Sequence, residues 1–343
     1  MLHDPPARQR MLYGELLSIV VAMTWTVTAL CAEVASRRMG QLQMNVLRMV
    51  ASLVILAAIL WAATGSPLPQ GMSATAVAWL LASGAVGYVF GDWCLFTAYV
   101  LVGSRMGQLF MTLAPLFSAL AAWALLGETL GLQAVMGIVV TLTGIGIVVK
   151  KNRPAQDASP VRHSSSSIRH SSSSILHSSF FIPHSSSFIL HSSFFIPPPA
   201  LLFGLGAAMG QGVGIVLSKV GMSLCEATPL LPIAATMVRA VSGLAGFGLA
   251  YFWKGDRARM HEGLHDRTTM VAAAGAIVTG PVIGVSLSLL AVQLAPAGIA
   301  STLMALTPVF ILLPSRWLFG QRITAREVVG SVIACGGVAL FFL

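Results

Sequence analysis

The sequence predicts an all-α polytopic membrane protein of ten transmembrane helices, arranged as two inverted five-helix repeats. Three observations carry this prediction. The composition is too apolar for water, apolar runs of spanning length recur along the chain, and the two halves align at a nearly constant offset.

Hydrophobic residues make up 56% of the 343 and charged residues only 9%, against about a quarter charged in an ordinary soluble domain. Mean hydropathy is +0.84. So few charges cannot cover a surface that faces water. Apolar runs near the ~20 residues that cross a bilayer fall at 14–35, 42–63, 75–101, 105–126, 131–149, 200–222, 230–253, 269–294, 298–318 and 323–343. The organisation that follows is an N-terminal tail (1–13), a first five-helix repeat (14–149), a Ser/His-rich low-complexity linker (150–199) and a second repeat (200–343). The tail, "MLHDPPARQR", is polar and has no signal-peptide pattern.

The duplication is visible residue by residue. Gly87, Gly91, Met111, Pro115, Gly127, Gly137 and Gly144 recur as Gly280, Gly284, Met304, Pro308, Gly320, Gly330 and Gly337, each 193 positions later. Earlier in each half the offset shrinks, to 191 for Arg48 and Arg239 and to 186 for the Ala-Met pairs at 22–23 and 208–209. Five spans per half is an odd number, so the halves must insert in opposite directions. Inverted repeats of this kind place a binding site between the halves, near the midplane.

Along the first half, Trp25 and Gln108 are polar groups within apolar spans, and Arg48 and Asp92 are charges within them. A charge in a span is expensive unless it is paired or hydrated. Arg48 lies about two turns into its span and Asp92 two or three turns from the same side, so the two can pair. Pro115, in "TLAPLFSAL", lacks an N–H and should kink its helix, freeing the carbonyl of Met111. The span ends at Gly127-Glu128, which reads as a left-handed turn with the carboxylate capping the next helix.

In the linker, histidines recur every seven residues at 163, 170, 177, 184 and 191. The serine-dominated repeat predicts a flexible linker, not a coiled coil.

The second half offers Gln211, Arg239 and Gln293 as polar groups in spans, and Pro308 as the counterpart of Pro115, freeing Met304. Arg239 has no matching acid, because Val285 stands where Asp92 would repeat, so it could attract an anionic group or reach the interface. Glu33 and Lys219 correspond at offset 186, near helix ends where water could solvate both. Small-residue spacings such as Gly206/Gly210/Gly214 permit close helix packing. Trp61, Trp79, Trp253 and Trp317 suit the membrane interface.

The net charge of +9 does not indicate nucleic acid, since the basic residues sit mostly in loops. Fifteen fall on one side of a ten-span topology and three on the other. By the positive-inside rule the linker is cytoplasmic and both termini lie outside, in a plasma (inner) membrane. Cys31, Cys94, Cys225 and Cys335 show no metal or redox spacing. "HEGLH" (261–265) matches the zinc-protease pattern H-E-x-x-H, which makes an intramembrane zinc metalloprotease the alternative. The motif lies in a polar stretch predicted to be a solvated loop, with no apolar face and no third ligand following. No metal site or cofactor is therefore expected, and the oligomeric state is left open.

The run "AP…LLGE…G…G" at 114–144, with its partner at 307–337, and the early arginines of the second and seventh spans resemble the EamA-like branch of the drug/metabolite transporter superfamily. The resemblance covers all but 150–199. It implies a permease, not an enzyme, moving amino acids, sugars or similar metabolites, often outward, by alternating access to a central cavity. The substrate-binding or coupling residues expected are Arg48, Asp92, Trp25, Gln108, Gln211, Arg239 and Gln293. Members commonly keep both termini cytoplasmic, opposite to the charge count. Small multidrug relatives carry a proton-binding glutamate in the middle of the first helix, where this chain reads "AMTWTVTAL".

Overall fold

A computed structural model describes residues 7–129, 131–149, 198–312, 314 and 325–340. The Ser/His heptads, Trp317 and the Gly320-Gln321 turn lie outside the described residues. Within them every regular element is helical. Six helices are long and apolar enough to cross a membrane: Arg8–Met39, Gln41–Thr64, Ala74–Ser104, Pro199–Ser223, Leu231–Lys254 and Arg267–Leu294. Met111–Leu126, Val135–Gly144 and Ala297–Phe310 are shorter apolar helices.

The elements are α1 (Ala7–Met39), α2 (Gln41–Thr64), α3 (Ala74–Gly84), a π-helical segment (Ala85–Asp92), α4 (Trp93–Phe110), α5 (Ala114–Leu126) and α6 (Leu132–Val149). The second half has α7 (Pro198–Ser223), α8 (Leu231–Lys254), α9 (Arg257–His265), α10 (Arg267–Ile277), a second π-helical segment (Val278–Val285), α11 (Ser286–Leu294), α12 (Ala297–Met304), α13 (Thr307–Phe310) and α14 (Ala325–Ala339). Because α1 starts at Ala7, the predicted tail contributes its last residues to that helix.

Large apolar side chains face outward along these helices. Trp61, Trp123, Phe252 and Trp253 are each more than 60% exposed, a pattern that water would penalise and lipid tolerates. The interior relies on small residues. Gly210 faces Gly91 so closely that a Cβ on Gly210 would stand 2.6 Å from the Gly91 Cα. A Cβ on Gly144 would strike Ala334, and one on Gly337 would strike Thr141, so α6 and α14 meet through glycines that are repeat equivalents.

The halves interleave. α1 packs along α10, α11 and α12 of the second half, while α7 packs along α3, α4 and α5 of the first. α2 pairs with α8 and α6 with α14. Helix ends gather at two poles. At one, Arg38 reaches Asp266 at 2.5 Å and Gln43 lies against Asp256. At the other, the segment between α2 and α3 lines a pocket with the segment between α7 and α8.

Two local expectations are corrected. Pro115 and Pro308 do not kink continuous helices: each sits in the first turn of a new one, α5 or α13, where a missing N–H is harmless. Nor are the carbonyls ahead of them free. That of Met111 accepts the Ala114 N–H within a 3-10 turn (Met111–Leu113), and that of Met304 accepts the Thr307 hydroxyl at 2.9 Å. Secondly, the stretch around HEGLH is a helix. Asp256 caps α9 through the Arg259 N–H at 3.0 Å, and Gly263 and Met260 supply the packing face against Met39 and its cluster.

Candidate functional site

The two π-helical segments, Ala85–Asp92 and Val278–Val285, are repeat equivalents end to end. They carry the glycine pairs Gly87/Gly91 and Gly280/Gly284, and π-turns frequently mark functional sites. Pro281 lies in the second, but Tyr88 holds the matching position in the first, so proline is not their shared cause. Each segment lies against the first helix of the other half. A Cβ on Gly91 would meet the Gln211 amide nitrogen at 3.3 Å, and one on Gly284 the Trp25 indole nitrogen at 2.9 Å. Gln211 and Trp25 themselves correspond, 186 residues apart.

Asp92 closes the first π-segment and is 4% exposed. One carboxylate oxygen takes a hydrogen bond from Arg48, and the other accepts the Gln211 amide at 2.5 Å. Arg48 also donates to Asn45 at 2.9 Å and lies 4.6 Å from the Phe96 ring centroid. The predicted Arg48–Asp92 pair is thus present, buried and backed by an aromatic face. Tyr88 stands between the two arginines, with Arg48 Cζ 5.9 Å and Arg239 Cζ 4.9 Å from its ring centroid.

A cavity opens beside this cluster. Its wall includes Trp25 and Gln211, Gln108 and Ser301, Met111 and Met304, Ala114 and Thr307, together with Arg239 and Val285. The first pair is separated by 186 positions and the other three by 193. Four lining residues of the first half are thus matched by their equivalents in the second, and the rest of the wall, Arg239 and Val285 included, comes from the second half. Arg48 and Asp92 stand behind it, joined to the lining through Gln211. Gln293, half-buried near the end of α11, is not part of the wall. Gln108 donates to the Tyr99 hydroxyl at 2.5 Å.

The sequence profile of the EamA-like transporter family matches residues 12–150 and 198–343. The chain belongs to the EamA-like transporter family. Such a protein is a multi-pass membrane transporter of small substrates, and the apolar helices agree with that. A solved structure titled only "Crystal structure of protein" is similar over 97% of this chain and 96% of its own, with a TM-score of 0.61 at 16% identity. That likeness concerns the fold. No curated protein matches the sequence.

Nothing in the geometry of the HEGLH motif supports the zinc-protease alternative among the described residues. His265 Nδ1 lies 2.8 Å from the His261 carbonyl and the two rings stack 4.2 Å apart. Among the described residues no third His, Cys, Asp or Glu joins them.

Three features escaped the sequence reading. Tyr88 carries no charge and appears as one aromatic among many. Glu15, 2% exposed with one carboxylate oxygen unpartnered, sits close to the start of an apolar run, where an acid reads as interfacial. Ser301 and Thr307 look like ordinary small helix residues, although the 193 offset from Gln108 would have flagged Ser301.

Proposed function

We propose that the chain is a plasma-membrane permease for a small metabolite, with ten spans in two oppositely inserted halves and the 150–199 linker in the cytoplasm. The observation that carries this reading is the cavity wall, in which four repeat-equivalent pairs of residues take part. A pathway that contains equivalent positions of both halves can be exposed to either side by a change of packing between them. Trp25, Gln108, Gln211 and Arg239 contact substrate, and Arg48 with Asp92 holds Gln211 in place. The free volume of the cavity is about 40 Å³, where a single water needs ~10–15 Å³. It takes a few waters, so a metabolite enters only when the halves shift.

The test is metabolite flux in cells with and without the protein, followed by reconstitution of the active substrate in proteoliposomes. Arg48→Ala and Asp92→Asn should reach the membrane yet lose most transport. Normal flux in both variants would remove the pair from the mechanism, and absence of any flux in the wild type would end the permease reading.

A further inference from the structure

We infer that the ligand of this cavity carries a carboxylate and that Arg239 receives it. The inference takes its physiological meaning from the permease reading, but its first measurement is binding.

Arg239 lines the cavity while being only 3% exposed. Its repeat counterpart Arg48 is neutralised by Asp92; the position matching Asp92 is Val285, which also lines the cavity. Arg48 and Asp92 cancel, leaving one uncompensated positive charge at Arg239. A buried charge without a partner is costly.

Hydrogen bonding shows the same imbalance. Of the lining groups, the Nε–H of Arg239 is buried without an acceptor, and behind the wall the Nε–H of Arg48 and the Tyr88 hydroxyl are so too. A carboxylate is an acceptor-only group, and its planar shape suits the guanidinium fork. The backbone accommodates this arrangement: a Cβ on Gly87 would stand 2.8 Å from Arg239 Nη2. One surplus charge matches a monocarboxylate better than a phosphate dianion. Ser288 and Ser301 already donate to the carbonyls of Val285 and Ala297, at 2.8 and 2.7 Å. Their oxygens thus remain as acceptors toward the rest of the ligand, which is either a plain acid or an amino acid.

The experiment uses the purified full chain and follows thermal unfolding against concentration for four probes at matched ionic strength: propionate, alanine, propionamide and alaninamide. The expected result is stabilisation by the acids and not by the amides; propionate and alanine separate a plain acid from an amino acid. Arg239→Gln should weaken the acid effect roughly ten- to a hundredfold. Val285→Asp restores the missing acid, so it should abolish the acid effect while leaving the unliganded protein as stable as the wild type, or more so.

Equal response to acids and amides in the wild type overturns the inference, as does an undiminished acid effect in whichever variant folds. Flux of neutral metabolites without any acid preference would leave the permease and remove the carboxylate. Acid binding without flux of any probe would do the opposite.

Discussion

Lys219 Nζ lies 2.5 Å from Glu128 Oε1 and 2.9 Å from the carbonyl oxygen of Ala295, while Glu128 Oε2 accepts the Ala297 N–H at 2.9 Å. One carboxylate thus ties together the end of α5, the late turns of α7 and the start of α12. It caps a helix, as the sequence suggested, but the helix belongs to the other half. At the opposite pole Glu33, equivalent to Lys219, accepts the Ser104 N–H at 2.7 Å just past Gly103 and pairs with Arg37 at 3.0 Å. The two positions carry opposite charge yet both hold the start of an equivalent segment.

Removal of the Glu128 cap should therefore weaken α12 specifically. Glu128→Ala is expected to destabilise the protein by about 1 kcal/mol, the usual loss for an N-cap. Lys219→Met should do less, because the Ala297 bond survives it. Unfolding in a graded mixture of detergents checks both; equal losses would mean that the ion pair, not the cap, matters.

The Arg48–Asp92 pair makes a sharper prediction. Removing one partner leaves a buried charge, so Arg48→Met or Asp92→Leu should each destabilise by about 3–5 kcal/mol. The double variant should recover much of that loss. A double-mutant cycle on unfolding free energy reads the coupling, and additive losses would show that the two side chains do not interact.

Glycine packing between α6 and α14 is testable by contrast. Gly144→Ala should destabilise by roughly 1–3 kcal/mol, because its Cβ would meet backbone of the neighbouring helix. Gly146→Ala, two residues away with open space around it, should be neutral or slightly stabilising. Melting temperatures of the two variants should fall on opposite sides of the wild type or nearly so.

Asp266 begins α10, and its acidity is set chiefly by the Thr269 hydroxyl and then by Arg38, which hold its pKa down to about 2. A depressed carboxylate contributes stability above its unfolded pKa, 3.8, and loses it as pH falls through about 2. Wild type and Asp266→Asn should thus differ in melting temperature by a constant amount from pH 8 to 5. The gap should close between about pH 4 and 2. A gap that closes near neutrality would assign the effect to another group.

The sequence by itself determined the solvent, the apolar segments and the duplication, because each depends on the order of residue types along the chain. Hydropathy located Gln41–Thr64 and Arg267–Leu294 nearly to the residue, and the 193 offset paired the glycines of the two π-segments. The Arg48–Asp92 pair was legible for the same reason: charges in oil must find each other. Partnerships across the halves were not legible. That Glu128 caps α12, that Gly91 abuts Gln211 as Gly284 abuts Trp25, and that Tyr88 stands between two arginines are consequences of interleaving. Interleaving is decided by which surfaces are flat enough to touch, and glycine spacing permits contact without naming the partner. Only the tertiary structure assigns it, since close packing depends on distances between segments far apart in the chain.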